Sequence, residues 1–487
     1  MNPSADLRRR LRGRATALAV LLLALLPLPA LADADVDPEA LLREYADGNG
    51  GTPAVVALVI DRDPASGAYR QAVYTHGELD GRPPDRDTLF EIGSISKVFT
   101  SLLLADMVRR GEVRLDTTIG ELADVVLPED VASITLQELS RHTSGLPRLP
   151  MSAGFWMRAV FRAEDPYAGT TREDLLRPLR KVDVGTRGAF AYSNFGVALL
   201  GQLLADRAGK PYRQLLEERV LRPHGMSGIY FDVASAPRER LVQGWRANGL
   251  KASHWHFGAY APVGSLVASA AGLGAFVEQQ MDADRGLWRF TGADGAAGPV
   301  RLGWLEDRIG TETLIWHNGG TGGFSSFAGF LPAQGRGVVV LSNSDVPVDF
   351  LARRLLGQDS SPPPHHRPAW TAVTAVMMLL APLGLAGRRL RRRWDSGRPV
   401  RSENRWDVIA MLAGYAFIYS VFVPFGNWTF LPIWVAWVSI GIAALLAVSL
   451  LPEWKHLEWR GEASRWRFRW AIASAVIYAA LTLAFVL

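Results

Sequence analysis

The chain has no cysteine among its 487 residues. That excludes disulfides, thiolate metal sites, a cysteine nucleophile and a lipid-modified cysteine. Lysine is nearly as scarce: Lys97, Lys181, Lys210, Lys251 and Lys455 stand against 48 arginines. Chemistry that needs a titratable amine therefore has five candidates. The net charge of +5 would ordinarily suggest nucleic acid or acidic lipid as a partner, but it is unevenly distributed. Residues 1–32 hold five arginines and one acid, and residues 367–487 hold 14 basic residues against six acids. The stretch between them has 34 basic and 41 acidic residues, net −7, which disfavours nucleic-acid binding there.

The two ends read as targeting and membrane sequence. Residues 1–32 combine Arg8, Arg9, Arg10, Arg12 and Arg14 with an apolar run and the small-x-small triplet Ala30-Leu31-Ala32, the form of an export signal. The run is slightly long, so an uncleaved anchor is the alternative. After a Pro/His-rich linker (360–368), apolar stretches at 369–387, 408–423, 431–451 and 470–487 predict four transmembrane helices; about 30 Å of hydrocarbon needs roughly 20 helical residues. The intervening segments 388–407 and 452–469 hold eight and five basic residues, whereas 424–430 holds none. That alternation places 33–368 and the C-terminus outside the cytoplasm. No charged residue lies well inside a stretch, so nothing suggests an ion path. The expectation is a multi-pass plasma (inner) membrane protein whose partners are the lipid bilayer and a small-molecule or peptide substrate.

Residues 33–359 read as one mixed α/β (α+β) domain. A helix is expected at 37–46, a hairpin at 54–61 and 69–76, a helix at 94–108, strands at 313–317, 324–330 and 337–342, and a closing helix at 348–356. Strands at both ends imply one antiparallel sheet built from the two chain ends, with helices inserted between them.

Three short motifs carry chemistry. In Ser94-Ile95-Ser96-Lys97 the i, i+3 spacing puts the Lys97 amine on the same helical face as the Ser94 hydroxyl. A buried lysine has a lowered pKa and can assist proton removal from serine. Alone, the tetrapeptide also reads as an N-capping serine followed by a solvated lysine. Tyr192-Ser193-Asn194 precedes an apolar helix. A phenol near a cationic lysine loses its proton more easily, which fits general-base work; a core tyrosine with a capping Asn194 is the other reading. His317-Asn318-Gly319-Gly320 ends a strand candidate, where glycines let backbone approach a substrate; a simple Gly-rich turn is the alternative. His254 and His256 flank Trp255 without further metal ligands and read as surface or strand residues.

In this order the motifs resemble the penicillin-recognising serine hydrolases, closest to the class C β-lactamase-like group with its D-Ala-D-Ala carboxypeptidases, D-aminopeptidases and serine esterases. Thr88–Gly93, His142-Thr143-Ser144-Gly145-Leu146-Pro147, Pro262–Leu266 and Gly322–Ser326 look like the same family, so the resemblance spans about residues 40–356. It implies Ser94 as the nucleophile that forms an acyl-enzyme, and Lys97 and Tyr192 as the groups that remove and relay its proton. It further implies that Asn194 orients Lys97 and the substrate amide. The backbone N–H groups of Ser94 and Gly320 would form the oxyanion hole, and His317, Asn318 and Gly319 would line the substrate strand. His142 and Ser144 are expected to shape a loop. No cofactor or metal is implied. Where many β-lactamases carry Lys-Thr-Gly, this chain has His317-Asn318-Gly319, which weakens carboxylate recognition and puts efficient penicillin hydrolysis in doubt. The expected function is a membrane-anchored exported serine hydrolase of amide or ester bonds, in cell-wall D-amino acid peptides or small esters. The competing reading is a membrane sensor or scaffold that binds peptidoglycan-like ligands without turnover.

Overall fold

The computed structural model describes residues 37–47, 53–79, 81–150, 164–247, 249–282, 301–309, 311–358, 360, 368–394, 404–425, 434–459 and 465–486. The export signal and most of the linker lie outside the described residues.

The hairpin expected near the start forms from β1 (Val55–Arg62) and β2 (Tyr69–His76). Its connection turns at Asp63, whose carboxylate accepts from the amides of Ala65 and Ser66, an Asx-type turn. β1 is valine-rich on both faces because both are covered. Val56, Leu58 and Ile60 enter the main core, and Val55, Ala57 and Val59 a second core. Its other neighbour is β9 (Arg336–Ser342), so that Val55 pairs with His76 on one side and Ser342 on the other. With β6 (Leu305–Ile309), β7 (Glu312–Gly320) and β8 (Ser325–Leu331), the antiparallel sheet runs β2-β1-β9-β8-β7-β6. The two ends of the domain thus meet in one sheet, as the sequence pattern requires. A three-stranded sheet of β3 (Leu89–Glu91), β5 (Val267–Ser269) and β4 (Ile229–Tyr230) lies apart from it.

Helices cover both faces of the large sheet. On one, α1 (Pro38–Asp47) and α5 (Asp349–Leu355) bury Leu41, Leu42, Tyr45, Phe350 and Leu351. On the other lie α2 (Ser96–Arg109), α3 (Asn194–Ala208) and α4 (Ala270–Met281). α3 is apolar almost all round because it runs through the domain interior. Gly209 ends it in the left-handed conformation at φ 63°.

In the C-terminal region α6 (Pro368–Trp394), α7 (Arg405–Phe425), α8 (Trp434–Val448) and α9 (Arg465–Val486) occupy the four apolar stretches. α7 packs along α9, and α6 along α8. The expectation of four spanning helices is met by length and composition at one of the four among the described residues. Among the described residues only Arg405–Val423 is long and apolar enough to cross a membrane, while the apolar parts of the other three are Ala372–Arg388, Trp434–Val448 and Phe468–Thr482. Arginines shorten two of these: Arg388 ends the first, and Arg465, Arg467 and Arg469 occupy the start of α9.

Candidate active site

Ser94 is carried by a three-residue turn, Gly93–Ile95, between β3 and α2. The turn is possible because residue 93 is glycine: it has φ +49°, and a Cβ there would stand 2.6 Å from the Gly320 nitrogen. Ile92 is tied on two sides, donating its N–H to Leu266 O at 3.0 Å and accepting from Ser326 Oγ at 2.9 Å. The turn runs directly into α2, so three residues of helical advance bring Lys97 to Ser94. Lys97 Nζ donates to Ser94 Oγ at 2.7 Å and to the carbonyl oxygen of Val263 at 2.9 Å. The capping-serine reading fails, since Lys97 is buried and no side chain caps α2.

The segment around Val263 clamps α2 at three points. Beside the Lys97 contact, Pro262 O accepts from Thr100 Oγ1 at 2.7 Å, and Leu266 N–H donates to Ser96 Oγ at 3.1 Å. Among the described residues no carboxylate pairs with Lys97. Burial, and secondarily the positive charge of Arg148, hold its amine well below the usual lysine range. A neutral amine has a lone pair, so the same 2.7 Å contact can carry the serine proton to nitrogen.

Tyr192 completes the cluster. Its hydroxyl is near enough to Ser94 for that side chain to favour its ionised form, and Lys97 Nζ lies 5.0 Å from its ring centre. The expectation that this phenol loses its proton easily is reversed. Burial pushes Tyr192 up to about 12, outweighing the lowering by Ser94 and Arg148. It is a neutral hydroxyl, and the group whose pKa burial lowers toward the free-base form is Lys97.

His142 has more to do than shape a loop. It has the only positive φ (58°) of a non-glycine among the described residues, a conformation uncommon outside glycine. Held there and buried, it accepts the Ser193 N–H on Nδ1 at 3.1 Å and lays its ring against Tyr192, 4.4 Å between centres. Burial first, then Lys97, keeps its imidazole neutral. Ser193, rather than Asn194, caps α3: its Oγ accepts from Gly196 N and donates to Pro147 O. The cap fixes where Asn194 points. Asn194 Nδ2 donates to the Tyr167 hydroxyl at 3.1 Å, and its buried Oδ1 has no hydrogen-bond partner among the described residues. The expected bond from Asn194 to Lys97 is therefore replaced by the Val263 carbonyl.

β7 forms the opposite wall. The sequence reading ended this strand at His317, but the strand continues through Gly320 in register with Ser325. Strand alternation then puts neighbouring residues on opposite faces. His317 is buried on the site side, 6.4 Å between ring centres from Tyr192. Its Nδ1 pairs with Asn318 O, and its Nε2 has no hydrogen-bond partner among the described residues. Burial and Lys97 depress it to about 3, so it is neutral. Asn318 turns away and donates to Asp349 Oδ1 of α5 at 2.8 Å; its side chain is a strap between layers, not a substrate contact. Gly319 packs against the nucleophile turn, where a Cβ would collide with Ile92 O and stand 2.6 Å from Ser326 Oγ. Gly320 is open, its nearest neighbour for a Cβ being Phe324 O at 3.5 Å.

Pattern reading could not have found the Val263 carbonyl, a backbone group 166 residues from Lys97, nor Gly93, whose need arises from Gly320. His254 and His256 are not strand residues. They meet Glu91 and Asp165 at 2.7 and 2.8 Å. Among the described residues no group of three His, Asp or Glu could hold a metal.

Comparison with known proteins bears on the family and the fold. Residues 39–359 match the family model described as Beta-lactamase. The chain is 28% identical over 334 residues to the D-alanyl-D-alanine-carboxypeptidase/endopeptidase AmpH of Escherichia coli (strain K12), covering 62% of this chain and 83% of that protein. Among solved structures it resembles the octameric penicillin-binding protein homologue from Pyrococcus abyssi, with TM-score 0.57, 21% identity and 66% and 77% of the two chains covered. It also resembles the D-alanine carboxypeptidase AmpC from Burkholderia cenocepacia, with TM-score 0.53, 24% identity and 66% and 98% covered. The structural likenesses speak for the fold alone.

Proposed function

The chain belongs to the beta-lactamase family, a family of serine hydrolases, and from that premise we propose that it hydrolyses amide or ester bonds through an acyl-enzyme on Ser94. The observation that carries this reading is Lys97: a buried amine with no carboxylate partner among the described residues, 2.7 Å from the serine hydroxyl. Burying an unpaired charged amine costs several kcal/mol, which favours the neutral, proton-accepting form.

Ser94 Oγ bonds to the substrate carbonyl carbon as its proton passes to Lys97 Nζ. The developing oxyanion sits between the backbone N–H groups of Ser94 and Gly320, which Gly93 and Gly319 allow to come close. As the C–N or C–O bond breaks, the proton reaches the leaving nitrogen or oxygen through the Tyr192 hydroxyl. Water then attacks the ester carbon on Ser94, its proton passing through Tyr192 and Lys97 to Ser94 Oγ as that C–O bond breaks, and the acid leaves. Asn194 Oδ1 is available to a substrate amide.

The neutral, buried His317 supplies no charge where a lysine would hold the carboxylate of a penicillin. β-Lactams are therefore expected to be the poorest substrates. A panel of D-Ala-D-Ala peptides, short-chain p-nitrophenyl esters and nitrocefin, offered to the full chain, should show nitrocefin turned over slowest. Nitrocefin turned over fastest would overturn the specificity, and no turnover of any would overturn the hydrolase reading.

We further propose that the domain is exported and held at the plasma membrane by the C-terminal helices. Apart from Val126 and Phe190, the exposed large apolar side chains of the described residues fall between Val373 and Tyr478, as a lipid-facing surface would have it. With four crossings, a reporter fused after Leu487 is active outside the cytoplasm; activity inside would mean an odd number of crossings after the exported domain.

A further inference from the structure

We propose that Arg148 is the specificity residue that takes a carboxylate on the leaving group of the substrate, an assignment that rests on the acyl-enzyme reading of Ser94. The cations of the site are few. Lys97 is buried and committed to Ser94 and Val263. His317, at the place in β7 where a lysine would stand, is buried and neutral. Arg148 is exposed, and its guanidinium carbon lies 5.1 Å from the centre of the Tyr192 ring. Among the described residues no carboxylate is paired with it.

Its position is fixed from behind. The Arg148 carbonyl accepts the N–H of Phe195 in the first turn of α3, and the Pro147 carbonyl accepts from Ser193 Oγ. The loop that bears Arg148 is thus bonded to the segment that bears Tyr192, and the two backbone segments keep their relative place. Tyr192 is the hydroxyl through which the leaving atom receives its proton. A planar, permanently charged fork beside that phenol is therefore within reach of the departing half of the substrate. A guanidinium binds a carboxylate through two parallel N–H donors, and its geometry suits this anion better than a point charge does. The anion site has moved from β7 to the loop beside Tyr192. A leaving group with its own carboxylate, such as an amino acid at the C-terminus of a peptide, is what this arrangement selects.

Two esters that differ only in the leaving group test this in the full-length protein: 3-carboxyphenyl acetate and phenyl acetate. The wild type is expected to prefer the carboxylated ester. In R148A the ratio of the two kcat/KM values should fall about tenfold, through KM of the carboxylated ester. R148K should recover part of the ratio. An unchanged ratio in R148A would overturn the assignment, whether both substrates suffer alike, as they would if Arg148 served only Tyr192 and Lys97, or neither suffers. If the wild type cleaves neither ester and a fluorophosphonate does not label Ser94, the hydrolase reading itself falls, and this assignment with it.

Discussion

Ser94→Ala is expected to lower kcat/KM by at least about a thousandfold on every substrate the wild type cleaves, while the thermal unfolding temperature barely moves. Ser94 is half-buried at the open side of a turn that is held elsewhere by Ile92, Ser96 and Thr100, so the hydroxyl contributes chemistry and little packing. Its power comes from Lys97, and this fixes the pH dependence. The competent form has a neutral amine. Activity is therefore lost as pH falls through the depressed lysine pKa and is regained above it. Burial and Arg148 place that limb well below the ordinary 10.5, and Tyr192 adds no alkaline limb until about 12. A rate profile of the wild type still rising around pH 10.5 would show that burial does not hold the Lys97 amine neutral.

Gly319→Ala should have the next largest effect. The added methyl has no free space: Ile92 O blocks it, with Ser326 Oγ 2.6 Å away, and both belong to the join between β7 and the nucleophile turn. Overpacking of this kind costs roughly 1–3 kcal/mol. Relief requires β7 to retreat from Ser94, taking the Gly320 N–H with it. A shift of about 1 Å in a positioned group costs roughly a hundredfold in rate. The expected outcome is a lower unfolding temperature together with about a hundredfold loss of kcat. Gly320→Ala, one residue on and in open space, should unfold at the wild-type temperature. Equal unfolding temperatures for wild type and Gly319→Ala would mean that the contact is not tight in solution.

Where the chain obeys local rules, the sequence reading and the structure coincide. The β-branched run of β1 and the turn at Asp63 set the hairpin, and the i, i+3 spacing of Ser94 and Lys97 brought amine and hydroxyl together. Where partners are remote or supplied by backbone, the pattern was silent. Val263 O and the crossing of Gly93 with Gly320 belong to that class. Asn318 is a different case. Once β7 is seen to continue to Gly320, period-two alternation puts its side chain opposite His317, toward Asp349; treating 317–320 as a turn hid this. Tyr192 shows how burial overrides a charge argument, since desolvation of the phenolate outweighs the cation nearby. The C-terminal region shows the limit of counting apolar letters. Four helices form, yet arginines cut into the apolar stretches of two of them, and among the described residues Arg405–Val423 alone meets the length and polarity of a span.

The account stands most directly on a covalent bond to one oxygen. The full-length protein, incubated with a fluorophosphonate and digested, should yield a single modified peptide with the added mass on Ser94, and the Ser94→Ala protein should yield none. Unmodified Ser94 in the wild type, or equal modification of the two proteins at another residue, would contradict the account and leave a domain that binds its ligand without cleaving it.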